Sequence, residues 1–367
     1  MHKGPSDYSH DSTPITGVLI TNLGTPDEAT PAAVRRYLKE FLWDPRVVEI
    51  PRPVWWLILH AFVLTTRPRK SAHAYAQVWS DDGSPLMAYS KLQRDALQKS
   101  LETRIKGPVK VALGMRYGNP SIASALEELH AANARQILVL PLYPQHSAAT
   151  TASTLDAVAM TLQQWRRVPD LRFVAQYHDQ PGYISAVANS IRHFWDKHEK
   201  PERLLFSFHG MPRRTLMAGD PYHCQCQKTA RRIAEQLGLN DDEWIVAFQS
   251  LFGREEWLRP YANETLEQLG KQGLKSVHVV CPGFSADCLE TLEEMALQNK
   301  EVFQQAGGSD YHYIPALNDA PEHISALTDM VLQNVAGWPG IDAWDADAAR
   351  LEAEQCRHRA TALGAER

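Results

Sequence analysis

The sequence predicts an α/β protein of two similarly built halves, each a four-stranded parallel sheet covered by helices on both faces. Eight short apolar runs rich in β-branched residues recur along the chain, and segments with apolar residues at helical spacing lie between them. A polar break at residues 180–182 and a charged one at 197–203 part the eight runs into two sets of four.

In chain order the first set falls at residues 17–22, 109–113, 136–140 and 172–176, and the second at 204–208, 244–248, 276–280 and 311–314. Most are apolar throughout rather than alternating, as strands buried between two helix layers are. Amphipathic spacing places helices at 120–132, 184–197, 227–237 and 263–272. Residues 342–367 are rich in Ala, Glu and Arg, with too few large apolar positions to promise a firmly packed helix. No close sequence repeat is evident; the doubling is one of pattern.

A chain of 367 residues with 44% hydrophobic content buries large cores and suits two domains better than one. Its net charge of -5 argues against a nucleic-acid binder that works by neutralising phosphates. The opening 14 residues are polar and lack a basic stretch followed by an apolar run, so a cytoplasmic location is expected. Five cysteines (Cys224, Cys226, Cys281, Cys288, Cys356), odd in number and irregularly spaced, suit reduced thiols. The most apolar stretch, residues 54–64 (VWWLILHAFVL), is too short to span a bilayer of about 30 Å. It reads as a core helix, a membrane-surface helix or the lip of an apolar pocket.

Open parallel sheets bind ligands beyond the carboxyl ends of their strands, which selects the loops at 22–26, 114–119, 141–151, 209–212, 249–257 and 282–290. His209 ends a strand in LLFSFHGMPRR, where a neutral imidazole accepts a proton or binds a metal near pH 7. The alternative is a histidine that caps the strand by bonding loop backbone. In CPGFSADCLETLEE, Asp287, Glu290 and Glu294 stand at i, i+3 and i+7, along one helical face. The same spacing also reads as a capping box, with Asp287 at the N-cap and Glu290 three residues on. Two aromatic segments, Met115-Arg116-Tyr117-Gly118 and Glu256-Trp257-Leu258-Arg259-Pro260, suit a flat apolar ligand bearing carboxylates or, equally, domain packing. Gly24-Thr25-Pro26 lacks both phosphate-loop patterns. Cys224 and Cys226 offer one sulfur pair with no partner CxxC to complete a tetrahedral metal site.

Taken together, GVLITNLGTPDEAT, FLWDPRVVEIP, DDGSPL, GMRYGNPSI, LPLYPQHSAATTAS, FSFHGMP, GDPY, FQSLFGREEWLRP and CPGFSADCLETLEE, in this order and spacing across residues 17–335, resemble a ferrochelatase of the Gram-negative bacterial type. The resemblance implies two flavodoxin-like domains, at 15–180 and 181–335, the second carrying His209 and Glu290, then an extension at 336–367. It implies a porphyrin between them and insertion of Fe2+ into protoporphyrin IX to give protohaem. The family's active-site His falls on His209 and its essential Glu on Glu290, the two groups that would meet the metal, with Glu294 continuing the acidic line. Leu23, Arg116, Tyr117, Trp257 and Phe284 would contact the macrocycle, and Arg67 and Ser84 its propionates at the pocket mouth.

Two departures bear on that carry-over. Cys288 stands where animal members have a second His, and Ala148 where they have a cluster cysteine, with no cysteine trio at the end. No cofactor is therefore expected and Fe2+ is the substrate; Cys224 with Cys226 is the one route left to an internal two-iron two-sulfur cluster. Rival readings are a chelatase for coproporphyrin or cobalt and a haem carrier without turnover. The lip at 54–64 suggests peripheral contact with the inner membrane.

Overall fold

The computed structural model describes residues 2, 4, 9–251, 253 and 255–366. Parts of the polar opening stretch and Phe252 and Arg254, inside the loop selected at 249–257, lie outside them. Eight strands form two four-stranded, wholly parallel sheets. The first holds β1 (Ile15–Gly24), β2 (Val109–Tyr117), β3 (Ala134–Pro141) and β4 (Asp170–Phe173), in the order β2-β1-β3-β4. The second repeats this as β6-β5-β7-β8, from β5 (Arg203–His209), β6 (Trp244–Gln249), β7 (Ser276–Val280) and β8 (Asp310–Ile314).

Every run anticipated as a strand is one, with shifted ends. β2 continues to Tyr117 because it stays paired with β1 through Gly24↔Tyr117. β4 starts and stops earlier than its apolar run, because only Gln136 to Val139 of β3 offer it a ladder.

Neighbouring residues on each central strand point to opposite faces and enter different cores. Val18 and Ile20 of β1 and Phe206 and Phe208 of β5 share one continuous cluster lying between the sheets, whereas Leu19 and Leu205 face outer layers. Helices Pro85–Arg104, Pro181–Trp195, Tyr222–Leu237 and Pro321–Val335 contribute Leu97, Ile184, Ile233 and Val331 to that shared core. Arg172 of β4 ties the halves further, donating to the carbonyls of Asn334 and Ala336 at the end of the last of these helices. The cleft between the sheets is thus floored by common core rather than by a flexible hinge.

Residues 54–64 lie in one helical run, Arg52–Ile58 and Leu64–Val78 joined by the π-turn Leu59–Val63. Trp55, Leu59 and Leu64 pack with Leu42, while Val54, Trp56, Leu57 and Phe62 are each more than half exposed. Just before this run, Glu49 pairs with Arg214 of the second half. Among the described residues no helix is long and apolar enough to cross a membrane. Residues Ala346–Ala362 do form a helix, capped by Asp345, and none of its side chains is buried.

Candidate active site

In the order β2-β1-β3-β4 the chain reverses direction between β1 and β3, and in the second sheet between β5 and β7. Those two switch points face each other, and one pocket of about 870 Å³, partly open to solvent, lies between them. Its walls come in large part from the ends of the four central strands and the segments after them: Asn22 to Thr25, Leu142, Tyr143, Gln145, His209, Gly283 to Ala286 and Cys288 to Glu290. Among the described residues, none in the loops after β2 and β6, which the sequence also selects, lines it; both strands sit at sheet edges.

His209, the last residue of β5, is half-buried, and its Nδ1 lies 2.7 Å from the carbonyl of Gly210. A carbonyl only accepts, so Nδ1 is the donor there, and in the neutral ring Nε2 is the nitrogen that carries the lone pair. The backbone is held in turn: Tyr222 donates its hydroxyl to the His209 carbonyl at 3.0 Å, and Gly210 donates its N–H to Gln249 at 2.7 Å. A Cβ on Gly210 would lie 2.7 Å from that same Gln249 oxygen, so only glycine lets the turn pass so close.

Glu290 opens a π-helix, Glu290–Gln298, and shares the pocket with His209. Near 4.4 residues per turn, positions i and i+4 fall almost in line, so Glu294 lies behind Glu290. Glu294 accepts from the Ser250 backbone N–H at 2.7 Å and from the Ser250 hydroxyl. Burial pushes its carboxyl above the usual range, against the pull of the Ser250 bonds.

Asp287 departs from both expectations. It is neither a cap nor a pocket acid but a buried hub, accepting from Tyr313 at 2.7 Å, Asn318 at 2.8 Å and Thr291 at 3.0 Å. The helix begins after it, so its carboxylate turns into the domain. Cys288 lines the pocket as a buried thiol, which burial and neighbouring Glu290 hold well above its ordinary range.

Of the other residues singled out, Leu23, Ser84 and Phe284 line the pocket. Ser84 is also buried as the N-cap of the helix Pro85–Arg104, accepting from Met87 N–H. Arg116 does meet a carboxylate, but that of Asp44: its guanidinium bonds Asp44 and Ser153, and Tyr117 donates to Asp44 at 2.8 Å. Tyr117 is fully buried. Trp257 packs across Gly210, where a Cβ would meet its ring at 3.0 Å, and so supports the turn beneath His209 rather than lining the pocket. Arg67 is an exposed residue of the helix Leu64–Val78, outside the lining.

Sequence reasoning missed Tyr37, Tyr75, Tyr143 and Gln145 in the walls. Tyr143 and Gln145 stood within a selected loop; Tyr37 and Tyr75 come from helices, where one face of the amphipathic pattern was the only signal. Burial above all raises the phenols of Tyr37 and Tyr75, helped at Tyr37 by Tyr75 and then Glu290 and at Tyr75 by Glu290, so both stay neutral.

The Ferrochelatase family model matches residues 15–335. A ferrochelatase of Thioalkalivibrio sulfidiphilus is 58% identical over 99% of this chain and 98% of its own, and one of Nitrosococcus oceani 56% identical over 99% of each. Among solved structures, SirB from Bacillus subtilis with Fe3+ superposes with a TM-score of 0.53 at 13% identity, covering 89% of this chain and 100% of its own, a likeness of fold alone.

Proposed function

The chain belongs to the ferrochelatase family, and on that premise we propose how its pocket performs the reaction, with His209 as the proton acceptor and Glu290 and Glu294 as the route for iron or protons. The activity is insertion of Fe2+ into protoporphyrin IX to give protohaem, a lyase reaction. As iron enters, the macrocycle loses two pyrrolic N–H protons, and its nitrogen lone pairs must turn out of the ring plane toward the metal. The protein therefore has to hold a bent ring and accept protons.

The observation that carries this reading is the Nδ1 bond to the Gly210 carbonyl, which leaves Nε2 of His209 as a base in a pocket shared with Glu290. Apolar walls from Leu23, Leu86, Leu142 and Phe284 bind the ring, and binding energy gained there offsets the cost of bending it. Tyr37, Tyr75 and Cys288 stay uncharged, so the acids hold the pocket's negative charge and attract the cation.

Three further features belong to the same reading. The exposed Val54, Trp56, Leu57 and Phe62 form a lip that meets the surface of the inner membrane, where an apolar porphyrin dissolves, and the protein otherwise faces the cytoplasm. The reaction needs no resident cofactor. Cys226 is buried and Cys224, two residues earlier on the same helix, is exposed, an arrangement that supports two separate thiols rather than a cluster.

Anaerobic incubation of the purified protein with ferrous iron and protoporphyrin, read by absorbance, tests the activity. Repeated turnover to protohaem is expected; one equivalent of bound haem without turnover would instead make this a carrier, and turnover of coproporphyrin alone would reassign the substrate.

A further inference from the structure

We infer that Ser250 is a positioning residue for metal insertion, fixing the Glu294 carboxylate behind Glu290 and beside His209. The inference rests on the role given above to Glu294. Ser250 follows directly on β6 with φ +64°, in the left-handed region that favours glycine. From there it occupies both oxygens of one carboxylate: its backbone N–H donates to Oε1 at 2.7 Å and its hydroxyl to Oε2. Two donors from one residue fix the plane of the carboxylate as well as its place.

Gln249 completes the clamp. Its side chain is buried, and its Nε2 donates to the Glu290 carbonyl at 2.8 Å and reaches Glu294 Oε2 at 3.5 Å. Its Oε1 accepts from Ser207 of β5 at 2.6 Å, and its backbone carbonyl accepts from Gly210. One dipeptide thus bonds the turn after His209 on one side and the first turn of the π-helix on the other. Glycine at position 250 would relax the backbone and still supply the N–H. The chain instead carries a hydroxyl in the strained conformation, and among the described residues that hydroxyl bonds Glu294 alone.

Ser250→Gly therefore removes the hydroxyl contact and nothing else. A double-mutant cycle over the wild type, Ser250→Gly, Glu294→Gln and the double variant, each measured for zinc insertion into protoporphyrin, tests the inference. Ser250→Gly is expected to lower kcat about tenfold, the size of one charge-assisted hydrogen bond, with porphyrin KM and melting temperature unchanged. Added to Glu294→Gln, it should cost nothing more. Wild-type kcat in Ser250→Gly, or a further tenfold loss on the Glu294→Gln background, would overturn it. Failure of the Glu294 role is seen separately, as Glu294→Gln alone with wild-type kcat, a result that removes the inference together with its premise.

Discussion

β1 runs out through Thr21, Asn22, Leu23, Gly24, Thr25 and Pro26, and β5 through Ser207, Phe208, His209, Gly210, Met211 and Pro212, so the two central strands end in matching turns. Gly24 passes Tyr117 at the end of β2 as Gly210 passes Gln249 at the end of β6. β2 and β6, the corresponding edge strands, are each followed by a cis proline, Pro120 or Pro260, whose carbonyl accepts from Met115 or Phe248. The third crossover of each half begins with a π-turn, Ala148–Ala152 in one and Glu290–Gln298 in the other. One architecture is therefore present twice with different side chains: where the second half places His209, the first places Leu23, and where the second carries Glu290 and Glu294, the first carries Ala and Thr. On the function proposed above, the reacting groups all come from the second half, while the first supplies much of the binding wall and, through its long first crossover, the lip.

Breaking that division at its matched positions should give its largest effect. His209→Ala is expected to lower chelation by about two to four orders of magnitude with little loss of melting temperature, because a half-buried pocket residue has few core contacts. Leu23→Ala, at the matching turn, should leave kcat near wild type and raise porphyrin KM by about tenfold, the cost of losing part of one apolar contact. Steady-state kinetics on both decides; a kcat loss in Leu23→Ala as deep as that in His209→Ala would end the comparison.

The next effect falls on folding. A Cβ on Gly24 would lie 1.8 Å from the Tyr117 carbonyl, at φ +109°, so Gly24→Ala should cost about 3 kcal/mol or more in a denaturant titration. Gly210→Ala meets its carbonyl at 2.7 Å with no such φ, and should cost less stability and more activity, by displacing His209. Equal stability losses would show that the two turns are not used differently.

The smallest effects concern pH, and they have opposite signs. Burial raises the carboxyl of Asp44, but Ser153, the Arg46 backbone, Tyr117 and Arg116 outweigh it and hold it below its ordinary range. Its contribution to stability is present above the unfolded pKa of about 3.9 and is lost as pH falls through the folded value. Glu294 is raised, so its contribution is full below the unfolded pKa of about 4.3 and is lost as pH rises through the folded one. Asp44→Asn should thus destabilise at neutral pH by about 2–4 kcal/mol, chiefly by leaving Arg116 unpaired, and match the wild type in acid. Glu294→Gln should slightly raise neutral-pH stability. Unfolding curves at pH 2 and pH 7, on either side of both carboxyls' unfolded values, check both signs.

The strands were legible because a buried parallel strand needs a short β-branched apolar run, and nothing else in this chain resembles one. The site was legible where a residue ends a central strand, as His209 and Leu23 do. It was less so at Arg116, on the edge strand β2, and at Trp257, in the loop after the edge strand β6; strand order is not written in local pattern, and the Arg116 guanidinium met Asp44 while the Trp257 ring packed on the Gly210 turn. The place of Asp287 was hidden as well, because a helical period sets it on one face with Glu290 and Glu294, whereas the helix begins only after it and the chain buries its carboxylate against Tyr313 and Asn318. Tyr37 and Tyr75 reach the pocket only through tertiary packing of their helices.

The central claim is that Nε2 of His209 takes protons from the ring, and parallel initial rates of iron and zinc insertion by His209→Ala under anaerobic conditions test it most directly. Both metals need the same two nitrogens freed, so the account predicts that both rates fall together, by about two to four orders of magnitude, with the melting temperature kept. Loss of iron insertion with zinc insertion intact would contradict it, making His209 an iron ligand and leaving Glu290 as the base.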